Sequence, residues 1–230
     1  MGSSASSAAV APRPRPAPVA STLEIVVTER RGKLQIITQE YDTVYRDVPV
    51  VAWFAPYVSL LIEGGIAVGY KDTAGNPTGE FGVGNSVTYG ELAKMALEAA
   101  GKDTSAALPP PRNVSARGAW SALYIALAEK EKLSVFLPDL NVGVPATRGA
   151  VIRTVLEAFD IPVATKNIAS FTDLPKDHPQ AQAISVALFY GLIDGDTDAN
   201  GALTGTVRPD ALVNRAEVAK IIALAIKLLK

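Results

Sequence analysis

The sequence predicts a mainly α protein, in which three helix–loop–helix repeats pack as a pseudo-threefold bundle and a small N-terminal β-hairpin precedes them. Two observations carry this prediction. From Asp47 onward, apolar residues recur at helical spacing. The same kind of helix start also recurs three times, at Thr88, Thr147 and Asn214. Repeats of this size cannot bury their apolar faces alone, so the three are expected to share one core.

The chain is predicted to divide into five segments. Residues 1–21, rich in Ala, Ser and Pro, are expected to form a disordered linker, whose first four residues are interpreted as an added start. Residues 22–44 are predicted to form the hairpin, because apolar residues alternate from Leu23 and Gly32 can end a turn. The repeats are assigned to residues 45–102, 103–165 and 166–230.

The first and third repeats share an order of motifs, and the second keeps only part of it. Residues 45–49 and 171–175 both read aromatic-x-Asp-x-Pro. A first helix, a turn that contains Gly and a second helix follow in each case. The middle repeat is degenerate: Trp120 matches Trp53 and Thr147 keeps the helix start, but the Gly pair is absent.

Composition argues against several classes of function. The chain has 230 residues, with 22 Lys and Arg against 23 Asp and Glu. Because nucleic-acid-binding proteins normally carry a basic surplus, no nucleic-acid partner is expected. With no Cys and one His, the chain is poorly supplied for disulfides, thiolate chemistry and His-based metal sites. No apolar run reaches membrane-spanning length, so membrane insertion is not expected.

The helix starts at Thr88, Thr147 and Asn214 carry the most informative residues. Thr or Asn followed three positions later by Glu predicts a capping box in the first and third repeats. Arg148 and Arg215 follow two of these starts, although the positive end of the helix dipole disfavours a cation there. Each Arg is therefore expected either to pair with a carboxylate of a neighbouring repeat or to help the helix N-terminus hold an external anion.

Four further residues are candidates for ligand binding. Trp53 and Trp120 could stack on a ligand, although their spacing in phase with apolar neighbours favours packing in the core. Asp72 and Asp194 lie in the turns before the second helices of their repeats. Turn chemistry also explains an Asp at such positions.

One loop of the third repeat fits the start of a calcium-binding loop. The order Asp-x-Asp-x-Asn-Gly supplies side-chain oxygens at Asp196, Asp198 and Asn200. The Glu that completes an EF-hand would fall at Val207, which cannot ligate, so a complete EF-hand is excluded. A partial calcium site at the three residues is the remaining prediction, against a plain loop of Asp, Asn and Gly. No other cofactor is expected.

The order of these motifs, from aromatic-x-Asp-Val-Pro to a Thr-Arg-Ala-Glu type of helix start, resembles the S-layer homology family over residues 45–230. The resemblance implies a three-pronged pseudo-trimer whose grooves bind a secondary cell-wall polysaccharide, often one with pyruvate-ketal groups. Carried over by position, Arg148 and Arg215 would recognise the acidic sugar. The first repeat has Tyr89 instead, which can stack on a sugar but cannot neutralise a carboxylate. At most two acidic-sugar grooves are therefore expected.

The resemblance also implies a non-catalytic module that anchors a surface or S-layer protein at the extracellular face of a bacterial cell wall. The expected partner is the wall polysaccharide, and S-layer neighbours are further candidates. A glycan-acting wall enzyme is one alternative, since a glycosidase needs two suitably spaced carboxylates. The other is a purely structural S-layer assembly module without a ligand, in which both arginines form ion pairs.

Overall fold

A computed structural model of the chain describes residues 26–38, 42–105, 107–164 and 168–228. The strands are β1 (Val26–Arg30), β2 (Lys33–Ile37) and β3 (Asp42–Pro49). The helices are α1 (Ala55–Glu63), α2 (Tyr89–Ala99), α3 (Ala122–Lys130), α4 (Arg148–Ala158), α5 (Ala181–Phe189) and α6 (Arg215–Leu228). The predicted linker, residues 1–21, lies outside the described residues. None of the helices described is both long and apolar enough to cross a membrane.

The strands form one antiparallel sheet in the order β1-β2-β3. Arg31 and Gly32 join β1 to β2, and their φ angles of 51° and 73° suit a two-residue hairpin turn. β3 pairs with the other edge of β2, with Thr43 opposite Ile36. Ile36, Thr43 and Tyr45 are buried, whereas all of β1 is exposed. The sheet therefore packs on the helices through β2 and β3.

The predicted fold class is wrong. Over the described residues the protein is mixed α/β, with six helices and a three-stranded sheet, and not a mainly α pseudo-threefold bundle with a hairpin. The sequence pattern assigns residues 45–49 to the start of a helical repeat. The structure extends these residues into β3, because Thr43 and Tyr45 alternate with more exposed neighbours and complete the buried face of the sheet.

Helices α2, α4 and α6 begin where the sequence predicts. The Thr88 hydroxyl accepts a hydrogen bond from Glu91 N at 3.3 Å, and the Glu91 carboxylate accepts one from Thr88 N at 2.9 Å. Asn214 and Glu217 form the same pair of bonds before α6, at 2.9 and 3.0 Å. Thr147 caps α4 without a reciprocal Glu. The predicted capping boxes are confirmed.

Helices α1 and α3 begin later than is expected from an apolar spacing that includes Trp53 and Trp120. α1 starts at Ala55, with Pro56 in the first turn, where a missing N–H costs no hydrogen bond. α3 starts at Ala122. Trp53 and Trp120 therefore precede these helices, and the two residues are 55% and 63% exposed. The interpretation of both Trp residues as core residues is wrong.

The core lies where α2, α4 and α6 meet, since each of these helices contacts the other two. α3 packs against α2, α5 against α4, and α1 against α6. Side chains such as Leu92, Ile152 and Ile222 are fully buried at this centre. Burying an aliphatic side chain of this size stabilises a fold by about 2 kcal/mol. The central packing thus brings three helix starts close together.

Backbone hydrogen bonds tie these three helix starts to one another. The first residue of each helix donates its N–H to a carbonyl just before another of the three helices. The bonds run from Tyr89 to Val144 (3.1 Å), from Arg148 to Ala211 (2.8 Å) and from Arg215 to Asn85 (2.9 Å). The side chains of Tyr89, Arg148 and Arg215 are therefore held at junctions between helices.

Candidate functional site

Two cavities open at these junctions, and each contains one of the predicted arginines. The Arg148 groove has a volume of about 460 Å³, and its charged and aromatic lining residues are Trp53, Arg148, Asp194, Asp196, Arg208, Glu217 and Lys220. The Arg215 groove has a volume of about 780 Å³, and the corresponding residues are Tyr70, Lys71, Glu91, Lys94, Trp120 and Arg215.

Arg215 is held by one carboxylate and two aromatic rings. Its Nη1 lies 2.8 Å from Glu91 Oε1, an ion pair between α6 and α2. Its guanidinium carbon lies 5.4 Å from the ring centre of Tyr70 and 5.3 Å from that of Phe81, within the range of a cation–π contact. Only 10% of the side chain is exposed, so water screens these contacts weakly.

Arg148 takes part in a wider network of charges. Its Nη1 lies 3.4 Å from Glu217 Oε1. Arg208 Nη2 lies 4.0 Å from the same carboxylate oxygen, and Arg208 donates two hydrogen bonds of 2.8 Å to Asp196. The Arg208 guanidinium holds the pKa of Asp196 below its usual range, because the two bonds favour the charged carboxylate.

The ion-pair interpretation of both arginines matches the structure, since Arg148 and Arg215 each contact a Glu from another part of the chain. In the alternative, a helix N-terminus holds an anion through free backbone N–H groups. The first turns of α4 and α6 have no such free groups. Their first three N–H groups already donate to Ala211, Pro209 and Thr147 in α4, and to Asn85, Val83 and Asn214 in α6. An anion in either groove has to be bound by side chains alone.

A Trp side chain and a Lys side chain also line each groove. Trp53 and Lys220 line the Arg148 groove, and the Lys220 amine lies 3.6 Å from the Asp194 carboxylate. Trp120 and Lys94 line the Arg215 groove. Each groove thus combines an indole that is more than half exposed with an amine and a guanidinium. These groups can stack on a sugar face and meet a carboxylate.

The two predicted Asp residues lie in different surroundings. Asp194 lines the Arg148 groove, and its side chain is 68% exposed. The Asp72 carboxylate instead accepts hydrogen bonds from Asn76 N and Ala74 N, both at 2.9 Å. These bonds, chiefly the one from Asn76, lower the pKa of Asp72. The turn interpretation therefore accounts for Asp72.

The predicted partial calcium site lies in the loop that follows α5. Asp196 binds Arg208, whereas the Asp198 carboxylate accepts hydrogen bonds from Asn200 N at 2.8 Å and Ala202 N at 2.9 Å. In the described part of the chain, no group of three or more His, Cys, Asp or Glu side chains is placed to hold a metal ion. Both alternatives for this loop, a partial calcium site at Asp196, Asp198 and Asn200 and a plain loop of Asp, Asn and Gly, stay predictions.

The junction that contains Tyr89 differs from the two grooves. Tyr89 is half-buried and lines neither of them. In α4, which begins at this junction, Arg153 stands six residues after its helix cap, as Lys94 and Lys220 do in α2 and α6. Arg153 binds Gln180 and donates to Pro179 O at 2.7 Å. These contacts keep the Arg153 guanidinium bound within the protein.

The sequence analysis missed several residues that shape the grooves. No sequence motif includes Arg208, Lys94 or Lys220. Both Lys residues nevertheless follow a recognised helix cap by six positions. The aromatic-x-Asp motif is visible in the sequence, but only the structure shows what its Asp does. Asp47 accepts hydrogen bonds from the backbone N–H groups of residues 81–83, and Asp173 accepts from those of residues 207–208. Each Asp fixes a segment that lines or borders a groove.

Comparison with known families finds one match. The S-layer homology domain model matches residues 170–219, a segment that contains the loop after α5, Arg208 and the start of α6 and so supplies most of the Arg148 groove. No curated protein matches the chain. Domains of this family are non-catalytic, bind cell-wall polysaccharide and anchor surface proteins to the cell wall. Residues 170–219 are thus similar to an S-layer homology domain, which associates this part of the chain with the cell surface.

Proposed function

We propose that the chain is a non-catalytic wall-anchoring module that binds an acidic, pyruvylated secondary cell-wall polysaccharide and tethers a surface or S-layer protein outside the cell. The observation that carries this proposal is the pairing, in each of two grooves, of an exposed indole with cationic side chains. An indole can stack on a sugar ring, and ammonium and guanidinium groups can bind a ketal carboxylate.

We also propose that residues 45–102, 103–165 and 166–230 are three copies of one repeat. The match to residues 170–219 supports the third copy. The similar roles of Asp47 and Asp173 support a relation between the first and the third. The cap at Thr147 and the exposed Trp120 support the second, which has diverged most.

A glycan-cleaving enzyme is a weaker proposal. Glycoside hydrolysis needs a protonated carboxylic acid beside a second carboxylate, and the acid normally has a raised pKa. In the Arg148 groove, Arg208 lowers the pKa of Asp196 instead. Glu217 and Glu91 both form ion pairs with arginines and cap their helices. These carboxylates have structural partners that a general acid would have to give up.

The purely structural assembly module is the second candidate, and one observation favours it. The ion pairs of Arg148 and Arg215 join different segments of the chain, so stability alone is a sufficient role for both residues. However, Nε of each guanidinium is buried without a hydrogen-bond partner among the described residues. The ion pair of each Arg therefore leaves its Nε–H donor without an acceptor. Burying an unpaired donor costs free energy.

Sacculus binding by Trp variants separates these candidates. Because Trp53 and Trp120 are mostly exposed, the double change Trp53→Ala and Trp120→Ala should leave the fold intact while removing the stacking surface of both grooves. We expect wild-type protein to sediment with purified sacculi of its source organism and the double variant to lose most of this binding. Acid treatment that strips wall glycan should abolish binding of the wild type.

Phe189→Ala is the matched control, since Phe189 is an aromatic residue that is 82% exposed and lies outside both grooves. It should bind sacculi as the wild type does. Unchanged binding by the double Trp variant, with an intact circular dichroism spectrum, would show that the Trp residues of the two grooves do not bind the wall glycan. Failure of the wild type to bind sacculi would contradict wall anchoring itself and favour the structural module.

A further inference from the structure

The two grooves differ in their balance of charge. The Arg148 groove is lined by three cationic side chains, Arg148, Arg208 and Lys220, and by three anionic side chains, Asp194, Asp196 and Glu217. The Arg215 groove is lined by Lys71, Lys94 and Arg215 against Glu91 alone. Glu98, 2.6 Å from the Lys94 amine, adds a second negative charge beside it. The Arg215 groove therefore keeps a positive surplus that the Arg148 groove lacks.

Within the Arg148 groove, carboxylates lie beside the cations that would bind an anion. Asp196 already takes two donors of Arg208, and the Asp194 carboxylate lies 3.6 Å from the Lys220 amine. A ligand carboxylate would have to displace Asp196 from Arg208 or accept its repulsion. Like charges brought together in a partly desolvated site are disfavoured.

The same arrangement suits a sugar that has hydroxyl groups and no charge. Arg208 is 53% exposed at its side chain and lies directly against Asp196, so donors and an acceptor stand side by side. A sugar hydroxyl both donates and accepts, and two neighbouring hydroxyls can meet a guanidinium and a carboxylate together. Trp53 supplies an exposed ring on the same groove.

The Arg215 groove has no equivalent internal carboxylate. Tyr70 N donates to Glu80 O, as Asp196 N donates to Thr206 O, so Tyr70 occupies the place that Asp196 has in the other groove. Tyr70 faces Arg215 with its ring, where the other groove has the carboxylate of Asp196. Lys71, the next residue, is exposed and lines the groove.

We propose that the grooves divide the polysaccharide between them: the Arg215 groove binds its anionic sugar, the Arg148 groove binds a neutral sugar, and Asp196 sets this difference. The inference rests on the proposed function, since it assumes that both grooves bind wall glycan. It goes further by assigning a different class of sugar to each groove.

The chain has two Trp residues, one in each groove, so each groove has its own fluorescent probe. In Trp53→Phe the remaining indole reports the Arg215 groove, and in Trp120→Phe it reports the Arg148 groove. Each protein is titrated with wall polysaccharide of the source organism, in native form and after mild acid has removed its pyruvate ketals. We expect the native form to change the fluorescence of Trp120 at about tenfold lower concentration than that of Trp53. Removing the ketals should abolish this preference for Trp120 and leave the response of Trp53 unchanged.

Asp196→Asn tests the determinant directly, because it removes the negative charge beside Arg208. It should strengthen binding of the native polysaccharide at Trp53 by about tenfold. Asp139→Asn, an equal change of charge at an exposed residue outside both grooves, should have no effect. The division of sugars between the grooves would be wrong if the two indoles responded equally to the native form, or if Asp196→Asn did not strengthen binding. The proposed function would survive either result. No response of either indole to either form would overturn the proposed function as well.

Discussion

Arg215 lies between two aromatic rings and against one Glu, whereas Arg148 lies near one Glu in a network that Arg208 and Asp196 complete. Both arginines occupy the first position of a capped helix, and both side chains are about nine-tenths buried. The same local motif, a helix cap followed by Arg, therefore occurs in two different electrostatic environments. Residues far away in the sequence decide which environment forms.

The loops beside the two arginines differ at two corresponding positions, and these account for much of the difference between the two environments. Phe81 N and Val207 N donate to Asp47 and Asp173 respectively, so Phe81 and Val207 occupy similar places. Phe81 supplies a ring to Arg215, and Val207 has none to offer Arg148. In the same loops Tyr70 is replaced by Asp196. The two aromatic residues beside Arg215 thus correspond to Val207 and Asp196 in the other loop. The Asp196 carboxylate binds Arg208.

The largest contrast in stability is expected from the glycines at the two grooves. Gly69 has a φ of +79°, and a Cβ there would lie 2.4 Å from the backbone oxygen of Glu80. Gly195 has a φ of +90°, and its Cβ would lie 2.9 Å from a ring carbon of Phe171, which can move. We expect Gly69→Ala to lower the free energy of unfolding by about 4 kcal/mol and Gly195→Ala by about 2 kcal/mol. Urea unfolding measures both.

Gly75→Ala is the control for backbone strain, because its φ is +88° but no atom lies within 4 Å of the added Cβ. Its cost should be about 1 kcal/mol, the penalty for positive φ alone. If all three variants lose the same stability, the close approach of backbone at Gly69 has no energetic consequence.

The arginines themselves should give the next largest contrast. Arg215→Ala removes an ion pair and two cation–π contacts and leaves Glu91 without its cation, so we expect a loss of about 2–3 kcal/mol. Arg148→Ala removes one longer ion pair, and Arg208 remains near Glu217, so we expect a loss of about 1 kcal/mol. The midpoints of urea unfolding should rank the variants in this order. Equal losses would show that the aromatic rings add nothing to the Arg215 site.

Acid should affect the Arg148 groove through Asp196. The folded-state pKa of Asp196 lies below its ordinary value of 3.8. The pair with Arg208 therefore stabilises the fold above that value, and this contribution is lost as the pH falls through the folded-state pKa. Because Arg208 is half exposed, the contribution should be less than about 1 kcal/mol.

This pH effect is measured by comparing urea unfolding of wild type and Asp196→Asn from neutral pH down to about pH 3. The wild type should be the more stable protein at neutral pH, and the difference should shrink below about pH 4. A difference that grows in acid would contradict the ion pair as the cause. Asp139→Asn again supplies the control.

Calcium should have the smallest effect. Arg208 takes both carboxylate oxygens of Asp196, so a calcium ion at Asp196 would have to compete with the guanidinium. Asp198 accepts two backbone hydrogen bonds of its own loop through one oxygen, and one remaining carboxylate oxygen is too few ligands for calcium. We expect no shift of the thermal midpoint when calcium is raised to about 5 mM, since only a ligand that binds the folded state raises it. A rise that Asp198→Asn abolishes would instead establish the partial calcium site.

The sequence predicts the starts of α2, α4 and α6 correctly because the signals are local. A cap at Thr88 and a Glu three residues later specify each other's hydrogen bonds within one helical turn. The same reasoning identified Arg148 and Arg215 and both of their possible roles. It could not choose between them, since their partners Glu217 and Glu91 lie 69 and 124 residues away along the chain.

Two errors had a common cause. Trp53 and Trp120 were expected in the core because a helical period was extended past the true helix starts at Ala55 and Ala122. The third strand was missed because residues 45–49 were assigned to the following helical repeat. In both cases the boundary of an element was wrong, and a shift of a few residues moves a side chain from the inside of a protein to its surface.

The sequence by itself determined the three capped helix starts, the apolar faces that pack behind them and the candidate cations, because these depend on neighbours within a few positions. Only the tertiary structure decided that β3 joins the sheet, that both Trp residues are exposed, and that the two arginines have different partners. Ion pairs and aromatic contacts form between groups that are close in space, and no local pattern states which distant residue will lie there. For that reason the Arg148 and Arg215 grooves share one motif and differ in charge.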